Sequence, residues 1–278
     1  MFKNILIPLD SSQYSKVSVE YGTWLAKKFN GKLIGQHVID IVTLEGPFFH
    51  DLSGSLGFEP YLNFSLKMKN ILEERGKEIL NDFDEGCKKE GVEASTFLDT
   101  GIISNEISNR AKLADLVILA QRGLNAKFES GLLGAITEAV TRKCTKPVLV
   151  TSEHFKEPSN LLLCYDGSQY ASDAMQTAAD FALSLSLPLT VLTAKKSEDG
   201  EKDTLSNARR YFSSYKIKTD FKAIKGNPHE VIIKFAKENS IDLIFMGAYG
   251  HSRIIEMVLG STTEYVLRNT DCPVLMRK

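Results

Sequence analysis

The chain has 278 residues and a formal net charge of −1, with 43% hydrophobic and 25% charged residues, enough for two modest α/β units that each hold a core. The near-neutral balance leaves no basic footprint for nucleic acid. No apolar run approaches the roughly 20 residues that span a bilayer, so neither nucleic acid nor membrane is an expected partner. Phe2-Lys3-Asn4 leads straight into a strand pattern rather than into a signal peptide. The four cysteines (Cys87, Cys144, Cys164, Cys272) form no C-x-x-C, and a small buried apolar role is expected for them, so the cytoplasm is the default location.

The first apolar run, Asn4-Ile5-Leu6-Ile7-Pro8-Leu9, ends in Asp10-Ser11-Ser12-Gln13-Tyr14. A segment from about Asp40 to Leu62 follows the next strand and carries Phe48, Phe49, Phe58 and Tyr61 among glycines and two prolines. Leaving such aromatics in water costs about 1.5–3 kcal/mol each. A cover over a crevice, packing on a partner chain, and folding back onto its own domain are the open roles for this insertion. Ala114-Asp115-Leu116-Val117-Ile118-Leu119-Ala120 is a buried strand pattern, then Gln121-Arg122-Gly123, ten residues, and Gly134-Ala135-Ile136-Thr137. Lys146-Pro147-Val148-Leu149-Val150 closes this half, and the polar segment Ser152 to Ser159 with Pro158 joins it to the next.

The pattern then repeats. Asn160-Leu161-Leu162-Leu163-Cys164-Tyr165-Asp166-Gly167-Ser168 parallels the opening run, Ile241 to Gly247 parallels Ala114 to Ala120, and Cys272-Pro273-Val274-Leu275-Met276 parallels Lys146 to Val150. Predicted strands of the second half are about Leu161–Tyr165, Leu189–Ala194, Lys218–Ala223, Leu243–Met246 and Val274–Met276, with helices such as Tyr170–Leu185 and Asp203–Tyr215 between them. The chain divides at 1–152 and 159–278, and alternating strands and helices argue for parallel sheets covered on both faces. Right-handed crossovers allow a doubly wound order 3-2-1-4-5. Ligands of such sheets sit beyond the strand ends where the order reverses, between the first and fourth strands. Asp166 and Gly247 meet there, as do Asp10 and the Gly123 loop.

Met246-Gly247-Ala248-Tyr249-Gly250, then nine residues, then Gly260-Ser261-Thr262 forms a glycine-bearing loop between a strand and a helix start, able to gather backbone N–H groups around an anion. It is neither G-x-G-x-x-G nor a P-loop, and no phosphate-clamping lysine is available. Ser261 with Glu264 also fits a capping box that needs no ligand. Asp166 either caps the following helix or accepts ribose hydroxyls or helps hold Mg²⁺. Arg253 offers a cation or is simply solvated. No histidine cluster has metal-ligand spacing, so no dedicated metal site is expected, and no nucleophile elbow appears.

The spacing G-x2-G-x9-G-S resembles the ATP-binding signature of the universal stress proteins, and the repeats extend that resemblance over nearly the whole chain. It implies two tandem flavodoxin-like domains about a pseudo-twofold axis, an internal pair, with a further homodimer left open. It implies ATP as ligand, with Mg²⁺ as a companion: Gly250, His251, Gly260, Ser261 and Thr262 around the phosphates, Asp166 beside the nucleotide, and Ala194 and Gly226 flanking adenine and ribose. In the first half, Ala120 replaces a glycine, one residue is inserted, and Ala135 lacks the hydroxyl of Ser261. Asp10, Gly123 and Gly134 remain its weaker candidates, with Arg122 as a compensating cation. The reading is an adenine-nucleotide-binding stress-response module, occupied mainly in the second half. A slow ATPase or nucleotide-transferring enzyme using Asp166 and Mg²⁺ is one alternative, and a nucleotide-free dimer scaffold another.

Overall fold

The computed structural model describes residues 1–42, 58–123, 133–195, 201–249 and 259–278, the side chains of 58–65 and 201–203 excepted. The first half runs β1 (Asn4–Pro8), α1 (Gln13–Phe29), β2 (Lys32–Asp40), α2 (Phe58–Lys89), β3 (Ala94–Gly101), α3 (Ile103–Ala111), β4 (Leu116–Ala120), α4 (Ala135–Lys143) and β5 (Val148–Thr151). The second runs β6 (Leu161–Cys164), α5 (Gln169–Leu185), β7 (Leu189–Lys195), α6 (Glu201–Phe212), β8 (Thr219–Lys225), α7 (Pro228–Glu238), β9 (Leu243–Gly247), α8 (Ser261–Asn269) and β10 (Val274–Arg277). The predicted strands of the second half are all present, displaced by no more than two residues at either end.

Within each half the strands pair in parallel in the expected order 3-2-1-4-5, and the two sheets then merge edge to edge into one: β3-β2-β1-β4-β5-β10-β9-β6-β7-β8. The joint is the antiparallel pair β5–β10, with Val148 opposite Met276, Leu149 opposite Leu275 and Val150 opposite Val274. Because Leu149 and Leu275 are equivalent in the repeat, the register is symmetric about that pair, as a local twofold requires. One face of the sheet is covered by α1, α2, α5 and α6, and the other by α3, α4, α7 and α8; the core on each face runs through both halves. Across the joint, Phe181 of α5 packs against Trp24 and Phe29 of α1, with centroids 6.1 and 5.7 Å apart. The joining segment is tied down as well: Phe155 stacks edge-on against Tyr21 at 4.8 Å, and the Tyr21 hydroxyl donates to the Lys156 carbonyl at 3.3 Å.

The expected insertion at about 40–62 is corrected in part. Residues 43–57, with Phe48 and Phe49, lie outside the described residues. From Phe58 onward the backbone is helical, so Phe58 and Tyr61 belong to α2 and not to an irregular segment. Buried Leu80, Phe83 and Cys87 give α2 its helical apolar stripe. Its counterpart α6 is far shorter, 12 residues against 32.

Each half carries the same aspartate clamp just before its fourth strand. Asp115 accepts from the backbone N–H groups of Lys3 (2.9 Å) and Asn4 (2.8 Å). Asp242 accepts from Ser159 N–H (3.0 Å), Ser159 Oγ (2.6 Å) and Asn160 N–H (3.1 Å), and pairs with Lys156 at 2.5 Å. These bonds anchor the entry to β1 and β6, which flank the crevice described below. Burial pushes both carboxyls up, but the hydrogen bonds, and for Asp242 also Lys156, outweigh it and hold them below the ordinary aspartate range. Lys156 is largely exposed, so the hydrogen bonds carry most of the effect.

A depressed carboxyl stabilises the fold above its unfolded pKa, near 3.9, and this contribution is lost as pH falls through the lower folded value. Asp242→Asn is therefore expected to cost about 2 kcal/mol at pH 7. In urea unfolding, the midpoint of the variant should also fall less than that of the wild type between about pH 5 and pH 3. An equal fall in both proteins would assign the acid sensitivity to other groups.

Candidate functional site

The crevice of the second half opens where β6 and β9 lie side by side and their following helices leave toward opposite faces. Asp166, Ala194, Gly247, Gly260, Ser261 and Thr262, which lie far apart in sequence, line one cavity of about 190 Å³. Gly226 is not among its lining residues; its N–H donates to the Lys195 carbonyl at 2.9 Å, at the end of β7. Gly250, His251 and Arg253 lie outside the described residues. The inner end is apolar, formed by Leu192, Ala194, Pro228 and Ile232, and Tyr249 stands on the side of the glycine loop.

Local chemistry sets each polar group. Asp166 does not cap α5; Ser168 does, its Oγ accepting from Ala171 N–H at 3.2 Å. Asp166 instead closes an Asx turn, with Oδ1 accepting from Ser168 N–H at 2.9 Å. Gly167 between them has φ +84, a conformation that favours glycine. The first half repeats this turn, with Asp10 Oδ1 accepting from Ser12 N–H at 2.9 Å and Ser12 capping α1.

The capping box expected at Ser261 and Glu264 does not form. Gly260 is the N-cap of α8, without a side-chain cap, and Ser261 is the exposed first helical residue. The reason lies in the loop closure: Gly260 N–H donates to the Ala248 carbonyl (3.0 Å) and Glu264 N–H to the Gly260 carbonyl (2.9 Å), so the helix begins one residue earlier than a Ser261 cap requires. The Glu264 carboxylate pairs with Arg268 at 2.6 Å. Ser261 is thus left with its hydroxyl at the crevice, among first-turn N–H groups that have no intrahelical partner. Gly134 occupies the same cap in α4, so Ala135 does not lose a capping role there, as the sequence comparison had implied.

Two residues that the sequence did not single out fix this geometry. Thr263 Oγ1 donates to the Gly247 carbonyl at 3.0 Å, and its counterpart Thr137 Oγ1 to the Ala120 carbonyl at 2.7 Å. Each threonine ties a helix start to the end of the strand before it. The signal was present, for both stand two residues after the helix begins in each repeat. Gly247 also has a packing role. A Cβ there would lie 2.8 Å from the Tyr170 carbonyl carbon and 2.9 Å from Ala171 N, so the missing methyl lets the start of α5 rest on β9.

Among the described residues the first half has the equivalent crevice. A cavity of about 390 Å³ is lined by Asp10, Arg122, Gly123 and Gly134, together with Ala120 and Ala135. Arg122 lies 3.8 Å from Glu153, and its Nε has no hydrogen-bond partner among the described residues.

In the second crevice the Cys164 thiol is pushed up by burial, and further by the Asp166 charge, so it stays protonated at neutral pH and is no nucleophile. Among the described residues no group of three His, Cys, Asp or Glu side chains is placed to hold a metal ion. A magnesium ion here would find Asp166 as its carboxylate ligand and depend on ligand oxygens for the rest. No described helix is long and apolar enough to cross a membrane.

Comparison with known proteins gives the same duplication. The model of the Universal stress protein family matches residues 1–152 and again 158–278. The universal stress protein Slr1230 of Synechocystis is 32% identical over 283 residues, covering 98% of this chain and 99% of that one. The universal stress protein MJ0531 of Methanocaldococcus jannaschii is 29% identical over 159 residues, 56% of this chain and 86% of its own. The crystal structure of a universal stress protein from Archaeoglobus fulgidus superposes with a TM-score of 0.78 at 24% identity, covering 99% of this chain and 98% of that one, and so shares the fold.

The packing role of Gly247 is open to test. Gly247→Ala drives a methyl into backbone that cannot swing aside, and should lower unfolding stability by about 1–3 kcal/mol. Ala120→Gly in the first half should cost only about 0.5–1 kcal/mol. Equal small losses in thermal unfolding would show that α5 has room to retreat.

Proposed function

The chain belongs to the universal stress protein family, and we propose on that premise that it is a stress-response module binding an adenine nucleotide, ATP foremost, in the crevice of its second half. The observation that carries the reading is the convergence of Asp166, Ala194, Gly247, Gly260, Ser261 and Thr262 on one cavity, in the arrangement that the G-x2-G-x9-G-S spacing implies. The phosphates lie at the start of α8, where the first-turn N–H groups and the Ser261 hydroxyl donate and the helix dipole favours negative charge. The ribose lies toward Asp166. The base enters the apolar end between Ala194, Leu192 and Ile232, where burial of its faces supplies the affinity. Gly250, His251 and Arg253 join the phosphate side, and Gly226 the adenine and ribose side, on the sequence pattern alone. Mg²⁺ accompanies the phosphates with Asp166 at its edge. The chain works in the cytoplasm, its two domains standing as the internal counterpart of a dimer.

Binding is favoured over turnover by the described lining residues. They include one carboxylate, Asp166, already committed to a turn, a protonated Cys164, and no lysine or histidine to serve as general base or phosphate clamp.

Ser261→Ala removes one hydrogen bond to a charged group, worth about 1.5–3 kcal/mol, and should weaken ATP roughly tenfold to over a hundredfold. Calorimetry on the wild type should give a stoichiometry near one ATP per chain. Unchanged affinity in a folded Ser261→Ala protein would remove the second half as the site. Multiple-turnover hydrolysis abolished by Asp166→Ala would replace the binding module by an enzyme.

A further inference from the structure

The two crevices are built on the same frame, yet their inner ends differ in kind. In the second half, Leu192 pairs with Cys164 and Ala194 with Ile224 along the strands. In the first, Gln36 pairs with Pro8 and Val38 with Asp99, so Gln36 stands where the second half has Leu192, and Asp99 where it has Ile224. Arg110 is the eighth residue of α3, as Phe235 is of α7. An apolar trio in one half is thus a charged and amide trio in the other.

The trio is ordered. Arg110 holds Asp99 with both ends of its guanidinium: Nη2 donates to Oδ1 at 2.8 Å, and Nε to Oδ2 at 3.1 Å. Gln36 Nε2 donates to the same Asp99 Oδ2 at 2.8 Å. An ionised carboxylate only accepts, so it fixes the amide with its nitrogen toward Asp99 and its oxygen turned away. Gln36 is 1% exposed, lines the first-half crevice, and its Oε1 has no hydrogen-bond partner among the described residues. A buried acceptor left unmet is destabilising, and Gln36 stands in the wall of a cavity.

We propose that the first-half crevice is a second nucleotide site of different specificity, taking a base with a ring N–H edge of the guanine type, which donates to Gln36 Oε1; this rests on the reading of the crevices as nucleotide sites. A guanine edge offers a ring N–H and an adjacent amino group, two neighbouring donors. The amino group of adenine donates beside a ring-nitrogen lone pair, so an adenine set against the Gln36 oxygen meets it with one donor where guanine meets it with two neighbouring ones. At the other end of the cavity Arg122, ion-paired with Glu153 at 3.8 Å and with Nε unpartnered among the described residues, meets the phosphates where the second half carries Tyr249. The changes Ala120 and Ala135 then belong to a site altered for another ligand rather than to a decayed copy.

The experiment is calorimetric titration of the full chain with GTP in the presence of saturating ATP, and separately with ATP alone. It is run on the wild type and on Gln36→Leu, which installs the residue that the second half already carries; unchanged thermal unfolding controls for its fold. The expected result is one GTP site in the ATP-saturated wild type, weakened at least about tenfold in Gln36→Leu, with ATP affinity moved less than twofold. Absence of GTP binding, GTP competing with ATP for a single site, or GTP affinity unchanged in Gln36→Leu each overturns the proposal while leaving the ATP reading intact. Failure of ATP to bind, with GTP binding that still depends on Gln36, overturns the ATP reading instead and supports the first-half site.

Discussion

The antiparallel pairing of β5 with β10 is the constraint on which the rest of the molecule depends. Each half on its own ends in a short, largely apolar strand whose outer N–H and C=O groups would stand unpaired, an invitation to aggregation. Setting these two edges against one another satisfies both ladders and leaves β3 and β8 as the outer strands. Those two are correspondingly exposed along much of their length. The symmetric register about Leu149 and Leu275 makes the joint one that identical partners can form, so a duplicated chain inherits it by keeping both copies of the strand.

From that joint the two crevices follow. The last strand of each half is held in the centre of the sheet, and the fourth strand beside it is clamped at its start by Asp115 or Asp242 and tied at its end by Thr137 or Thr263. The fourth strand is thereby held at both ends and the first at its start, so the gap between them is placed before any ligand arrives. Such preorganisation lowers the entropy lost on binding. Glycine stands where the crevice backbone needs it, at Gly167 in the Asx turn and at Gly247 under the start of α5.

Duplication also frees the halves to diverge. The frame residues (strand registers, Asx turns, threonine ties) are the same in both, while Gln36, Asp99 and Arg110 stand where the second half has Leu192, Ile224 and Phe235. The part-buried Gln36–Asp99–Arg110 network contributes little to stability compared with Leu192, Ile224 and Phe235, because desolvation offsets most of the electrostatic gain.

The sequence by itself determined the strands, their parallel order, the duplication and the place of the crevice, because period, turn residues and repeated motifs are local signals and topology follows from few rules. It also brought Asp166, Gly247 and Gly260 to one site before any coordinates. What it misjudged were matters of a single residue's register: Ser261 and Glu264 read as a capping box, but the Gly260–Ala248 hydrogen bond moves the helix start and frees the Ser261 hydroxyl. The continuation of α2 back to Phe58 was hidden by aromatics and turn residues that read locally as a loop. Only the tertiary structure decided that Gly247 is required by the backbone of a helix far away in sequence. It alone decided that Gln36 turns its nitrogen to Asp99 and its oxygen away, since Asp99, itself held by Arg110, meets Gln36 through sheet pairing and not through sequence.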